Sequence, residues 1–259
     1  MPRNSSSNNR RQYPAPKSGK NKKNYVVETQ HEQVIKVEPT TRKKFSKHDI
    51  KYVKPLTENQ LLAFQEWGQG QHLVMSGFPG TGKTLIATYL ALKDVLDPDM
   101  PQDKIVIVRS PLQSGVQLGY MPGDLEEKVS FFEMPYIQIC DFLFKWGKSY
   151  ENLKEIGVIE FYPTNFLRGC TWDNAIIILD EFQNADDTTL TTVCARLGND
   201  SRLIICGDTI SQNDMGSKSG GDKLLSTLKK MDEVSFVNFN PSDCVRSEFV
   251  KNFLIAKYC

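Results

Sequence analysis

No stretch of this 259-residue chain approaches the roughly 18 consecutive apolar residues of a membrane-spanning helix, and its opening, MPRNSSSNNRRQYPAPKSGKNKK, lacks the apolar segment of a secretory signal. A membrane-embedded or exported protein is therefore not expected, and the sequons at Asn4 and Asn199 carry no weight. C-x-x-C spacing is missing among the six cysteines, Cys140, Cys170, Cys194, Cys206, Cys244 and Cys259. Several of them lie inside apolar runs, where cysteine packs as a small hydrophobe, so the expectation is reduced thiols in a cytoplasmic protein. Internal repeats are absent too, and net charge is nearly so, at +1.

That near-neutral sum hides a lopsided distribution. Residues 1–55 hold 14 Lys and Arg against 4 Asp and Glu, whereas the remainder holds 18 against 27. A cationic arm thus precedes an acidic body, and arms of that kind either touch nucleic-acid phosphates or simply keep a chain in solution. Residues 1–24, rich in Ser, Asn, Pro, Lys and Arg, have almost nothing to bury and are expected to form a disordered basic tail. Residues 25–55 read as a linker in which YVVE and VIKVE alternate like short strands before TRKKFSKHD breaks the pattern. The folded domain is expected over 56–259, a length that suits one core.

Within it, QHLVMSG, KIVIVRS, VIEFYP, AIIILDE, RLIICGD and EVSFVNF are short, rich in β-branched or aromatic residues and bounded by Gly, Pro or charge, as buried strands are. Helical stretches separate them. Leu85, Tyr89, Leu92 and Leu96 share one stripe, Leu190, Val193 and Leu197 another ahead of Gly198, and Val245, Phe249 and Phe253 a third from about Ser242. Alternation of this kind predicts an α/β fold of three layers with a mainly parallel central sheet.

Three strand ends carry chemistry. GFPGTGKT places Gly77, Phe78, Pro79, Gly80, Thr81, Gly82, Lys83 and Thr84 between a strand and a helix, as G-x-x-x-x-G-K-[ST] requires. Backbone N–H groups of such a loop close around phosphates, the lysine bridges the β- and γ-phosphates of ATP, and the Thr84 hydroxyl ligates Mg2+. The competing account, a Gly-rich turn that merely precedes a helix, is opposed by the strand and helix on either side. IIILDEFQN brings a second strand to the same edge, where Asp180 would hold the metal through water and Glu181 would orient the attacking water. Alone, two acids after a strand are an ordinary solvated end; beside a phosphate loop they read as catalytic. LIICGD ends a third strand at Asp208, with Gln212 beyond it as a reporter on the γ-phosphate or as plain turn chemistry. Upstream, Gln60 in LTENQLLAF either offers its amide to the N6 and N7 edge of adenine or is an exposed helical residue.

In this order, Gln60, GFPGTGKT, DEFQ and the GD segment with Gln212 resemble the first motor domain of superfamily 1 helicases. The segments SPLQSGVQLGYMPGDLEEKV (110–129), FLRGCTWDNAIIILDEFQN (166–184), ARLGNDSRLIICGD (195–208) and SDCVRSEFV (242–250) are similar to the PhoH family of ATPases, a likeness that covers residues 56–256. Departures from the family pattern are Cys170 in place of the second arginine of R-G-R-T, Ser110 in place of proline after Arg109, and a longer step from Gly207 to Gln212. Glu28, Glu32, Glu38 and Asp49, the acids of the first 55 residues, are too few for the nuclease domain fused to some members.

The resemblance implies a RecA-like P-loop ATPase using ATP and Mg2+, acting on RNA or single-stranded nucleic acid and assembled as a homo-oligomeric ring, with a hexamer as one size. With one motor domain in this chain, an arginine finger worth roughly 10³ to 10⁵ in rate is expected in trans from a neighbour. Arg246, in the D-x-V-R-like segment, is the first choice and Arg168 the second; Arg109 is read as facing nucleic acid, and Arg196 completes the candidates. A structural ion pair is the competing account of each. Asp124 is expected to cap a helix with Glu126 and Glu127 in its first turn. Phe131, Phe132, Tyr136 and Trp146 are assigned to the core ahead of base stacking. Two other classes stay open: a nucleotide-gated regulatory or assembly ring with slow turnover, and a small-molecule kinase, disfavoured by the absence of an arginine-rich lid.

Overall fold

Strands that are apolar nearly end to end are stable only in a sheet covered on both faces. The computed structural model describes residues 45–110 and 125–259, except 165, 166, 168, 170 and 210–218, with the backbone alone at 125–128. Its strands are β1 (His72–Gly77), β2 (Lys104–Arg109), β3 (Ile159–Pro163), β4 (Ala175–Asp180), β5 (Arg202–Cys206) and β6 (Val234–Phe239). They are the six expected from the sequence. All pair in parallel, in the order β3-β2-β4-β5-β1-β6.

Side chains alternate across each strand and divide the core in two. Leu73, Met75, Ile105, Ile107, Ile176 and Ile178 pack with residues of α1 (Glu58–Gly68), α2 (Lys83–Val95), α3 (Leu125–Leu143) and α4 (Ser149–Glu155). Val74, Val106, Val108, Ile177, Leu179 and Ile205 pack instead with Leu190 and Val193 of α5 (Asp187–Cys194) and Leu224 and Leu228 of α6 (Gly221–Leu228). The result is the three-layer α/β arrangement with its parallel sheet in the middle. Among the described residues no helix is long and apolar enough to cross a membrane.

Two differences from the sequence reading have plain physical causes. Packing begins upstream of Leu56, because Phe45 has an apolar pocket to fill: it is 7 % exposed, with its ring centroid 5.2 Å from Phe144 and 5.7 Å from Trp146. The chain there is pinned by Lys47 N–H to the Leu96 carbonyl, the Lys47 ammonium to Asp97 at 2.7 Å, and Lys51 N–H to the Leu143 carbonyl. A short 3-10 turn, Lys47–Asp49, forms there, while the possible strands YVVE and VIKVE lie outside the described residues. The basic tail over 1–24 and the linker over 25–44 lie outside the described residues, as does Asp124.

The last helix also differs. A 3-10 turn at Pro241–Asp243 and the Val245 N–H, bonded to the Gly80 carbonyl at 3.1 Å, hold the chain against the phosphate loop, so α7 starts only at Glu248 (Glu248–Tyr258). Leu254 then lies toward Gly80, while Phe249 and Phe253, expected on the buried stripe, are 80 % and 57 % exposed. Phe45→Ala is expected to destabilise the domain by about 3 kcal/mol, the low end for emptying a buried phenylalanine site. A urea midpoint lowered at unchanged slope is the measurement that checks it.

Candidate active site

Parallel strands deliver their carboxyl ends to one edge, so residues distant in sequence meet beyond β1, β4, β5 and β6. The loop after β1 is Gly77–Thr84, with φ of 113° at Gly77, 73° at Gly80 and 86° at Gly82. Side chains resist such values, which is why glycine stands there. Gly82 leads into α2, whose free N–H groups and positive end face the loop. The Lys83 ammonium donates to the Phe78 carbonyl at 2.7 Å and lies 3.4 Å from both the Gly77 carbonyl and Thr81 Oγ1. Burial pulls its pKa below the usual lysine value, against the raising pull of nearby Asp208, Cys206, Glu181 and Asp180.

β5 lies between β1 and β4, yet Asp180 at the end of β4 still reaches the loop. The Thr84 hydroxyl donates to Asp180 Oδ1 at 3.2 Å, with Oδ2 at 3.4 Å. Asp180 is 2 % exposed, and a second donor, the hydroxyl of the buried Tyr136, meets Oδ2 at 2.7 Å. Arg109, paired with Asp180 in the β2–β4 register, sets Nη1 3.8 Å from Asp180 Oδ2 and Nη2 3.9 Å from Glu181 Oε1. Burial works against the Arg109 charge, but the Tyr136 oxygen, Asp180 and Glu181 raise its pKa more.

Glu181 leaves the strand in a left-handed conformation, φ 55° and ψ 44°, which turns the chain at the sheet edge. Burial raises its pKa, and the charge of Asp180 raises it further, while Arg109, a hydrogen bond from Gln183 and Lys83 oppose. Gln183 Nε2 donates to Glu181 Oε2 at 2.6 Å, and its Oε1 accepts the Asp208 N–H at 3.1 Å, so one amide joins the β4 and β5 ends. Gly207 must be small for this: a Cβ there would run into the Phe182 ring and lie 2.5 Å from Gln183 Oε1.

A cleft of about 490 Å³ lies over these groups, lined by the loop, Asp180, Glu181, Asp208, Ile139 and Phe142 of α3, and Val245 with Arg246. Its size is that of a nucleotide site, within the roughly 300 to 1,000 Å³ usual for small-molecule pockets. Thr84 and Asp180 offer the hard oxygens that Mg2+ takes, together with nucleotide phosphates. Among the described residues no group of three or more His, Cys, Asp or Glu forms a cage for a metal on its own. The Thr84 hydroxyl meeting the Asp180 carboxylate beside the phosphate loop fits a cation carried in with phosphates.

Several expectations are corrected. Gln60, read as an adenine contact, is 5 % exposed and satisfied at both ends within the chain: Nε2 donates to the Thr81 carbonyl at 2.9 Å and Oε1 accepts the Leu56 N–H at 2.8 Å. It braces the loop. Arg246, read as a finger offered to a neighbour, borders its own chain's cleft, because the Val245–Gly80 bond draws its stem onto the loop. It also precedes α7 and is not part of it. Arg109 faces the acid pair and not nucleic acid. Arg196, after α5, gives its carbonyl to Trp172 N–H at the opposite, amino edge of the sheet. Arg168 and Gln212 lie outside the described residues.

Tyr136 and Gln183 were missed as site residues. Gln183 was within reach, since it belongs to the DEFQ run, whereas Tyr136 is 44 residues from Asp180 and carries no local mark.

A phosphate loop on β1, an acid pair on β4 and an intervening strand define a nucleotide-binding domain of the P-loop NTPase type. The family described as PhoH-like protein matches residues 52–258, and the chain belongs to that family. It is 36 % identical over 184 residues to a PhoH-like protein of Synechocystis sp., covering 70 % of this chain and 54 % of that one. A PhoH-like protein of Bacillus subtilis is 37 % identical, with 70 % and 56 % covered, and Protein PhoH of Escherichia coli K12 is 33 % identical, with 72 % and 52 % covered. The chain thus spans about half the length of these relatives. Among solved structures, the HK97 bacteriophage large terminase is similar at a TM-score of 0.47 and 14 % identity, covering 80 % of this chain and 47 % of that one. The DUF1998 helicase MrfA is similar at 0.44 and 16 %, with 71 % and 26 % covered. Likeness at that level adds nothing to the topology read from the strands.

Gly207→Ala is expected to cost about 1 to 3 kcal/mol, as overpacking at a closed contact does. It should also separate Gln183 from Asp208, which amide exchange at Asp208 would register as lost protection.

Proposed function

We propose that this domain hydrolyses ATP with Mg2+ and couples the reaction to work on RNA or single-stranded nucleic acid. The hydrolytic half is carried by one observation, the Thr84 hydroxyl on the Asp180 carboxylate beneath Lys83, with Glu181 alongside. Lys83 is held by loop carbonyls, and a phosphate oxygen is a stronger, charge-assisted acceptor for it. Thr84 and Asp180 would hold Mg2+, which when bound neutralises charge on the β- and γ-phosphates. Glu181, turned out of the strand and steadied by Gln183, would orient the attacking water.

The polymer half is supported by the excess of cations over residues 1–55, 14 against 4, on an otherwise acidic chain. In this reading the molecules assemble as a homo-oligomeric ring whose neighbour completes each site. Arg246, seated over its own Gly80, is assigned to the nucleotide of its own chain. Mixing Arg246→Ala with Lys83→Ala protein is accordingly expected to restore no hydrolysis; recovery in the mixture would return Arg246 to the neighbour's site.

Glu181→Gln is expected to keep ATP binding while kcat falls about 10²- to 10⁴-fold, the usual share of a general base. Lys83→Ala should lose binding as well. Stimulation of the ATPase by RNA or single-stranded DNA, weakened by salt and by removal of residues 1–24, tests the polymer half. Indifference to every polymer ends it, and ATP-dependent oligomer size with negligible turnover would favour a regulatory ring.

The pH profile follows from Glu181. A base acts only when ionised, and its pKa is raised, so kcat should fall with decreasing pH at a higher pH than an ordinary carboxylate would give. Gln183→Ala removes a hydrogen bond that favours the ionised form, so the acid limb should move up again.

A further inference from the structure

We infer that Tyr136 and Arg109 are positioning residues that occupy one oxygen of Asp180 and thereby make the nucleotide site prefer Mg2+ over Ca2+. The inference rests on the nucleotide-and-metal reading above. Its basis is the division of labour between the two oxygens of a single carboxylate. Oδ2 accepts the Tyr136 hydroxyl at 2.7 Å and has Arg109 Nη1 at 3.8 Å, while Thr84 Oγ1 lies 3.2 Å from Oδ1 and 3.4 Å from Oδ2. Tyr136 is fully buried, its ring tilted 6.0 Å from Phe161, so water cannot readily replace its hydroxyl. Arg109 also reaches Glu181 at 3.9 Å and so offsets the repulsion between two adjacent acids.

A carboxylate held in this way has one oxygen already bonded to the phenol, which leaves Oδ1 the freer of the two for a metal. That suffices for Mg2+, which demands a tight octahedron and takes a single carboxylate oxygen directly or through water. Ca2+ favours larger, irregular shells with bidentate carboxylates, which the Tyr136 bond obstructs. Groups that hold a metal-binding side chain from behind typically change metal affinity by about 10- to 100-fold when removed. A tyrosine with a merely structural role would lower stability and leave ion preference untouched.

The test is a binding titration of the full chain with a fluorescent ADP analogue in EDTA, in Mg2+ and in Ca2+. For wild type the analogue should bind more tightly with Mg2+ than with Ca2+. Tyr136→Phe should match wild type in EDTA, lose about 10-fold of the Mg2+-dependent gain and keep or increase the Ca2+-dependent gain, so that the preference shrinks. An unchanged Mg2+ to Ca2+ ratio overturns the inference, whether both gains persist or both fall together. If Tyr136→Phe fails to bind in EDTA, Arg109→Lys, which keeps the charge but cannot span both acids, takes its place: a smaller Mg2+ to Ca2+ ratio supports the inference and an unchanged one overturns it. Wild-type binding that is indifferent to Mg2+ would instead overturn the metal reading on which the inference stands.

Discussion

A carboxylate buried at the edge of a sheet is tolerated only when it is hydrogen-bonded or ion-paired, and Asp180 meets such partners from three separate elements. The Thr84 hydroxyl comes from the first turn of α2, the Tyr136 hydroxyl from α3 and the Arg109 guanidinium from the end of β2. Each must arrive at a set depth for the charge to be stable, so the helices on that face of the sheet are registered against the strands by the same group that would meet a metal. The neighbouring acid is handled similarly, through Arg109 on one side and Gln183 on the other. Gln183 passes the arrangement on to Asp208, across the place where only a glycine fits.

The placing of residues that lie in contiguous motifs was legible in the sequence. The phosphate loop, Asp180, Glu181 and Asp208 stand at strand ends because each follows a run of residues too apolar to lie anywhere but inside a sheet. All six strands were legible for the same reason, as was the division into three layers. What could not be read were relations between segments. Tyr136 looked like a core aromatic, and it is one, with the pairing of its hydroxyl visible only once α3 lies against β4. Arg109 carried a clue in ending a strand next to that of Asp180, but strand order is needed to see it. Gln60 and Arg246 were read for outward-facing roles. Gln60 is held by the loop it was expected to stand beside, and Arg246 by a backbone bond from Val245 to Gly80.

Amphipathic spacing misled at the last helix for a related reason. The pattern Val245, Phe249, Phe253 implies a helix running from about Ser242, yet the backbone there is needed as a partner for the phosphate loop, and hydrogen bonding to Gly80 outcompetes an early helical start. Local periodicity reports what a helix would bury if nothing else claimed the chain. Residues 45–55 are the converse case, charged enough to look like a linker but anchored by Phe45 and by backbone bonds to the ends of α2 and α3.

Just past that anchored segment, the Gln60 side chain ties the chain to the phosphate loop. The Gln60 amide takes the Leu56 N–H at one end and gives to the Thr81 carbonyl at the other, so two hydrogen bonds in series connect the chain entering α1 with the turn that would wrap the phosphates. Tension on the chain ahead of Leu56 therefore has a short mechanical route to the loop, and a change of shape in the loop has the same route outward.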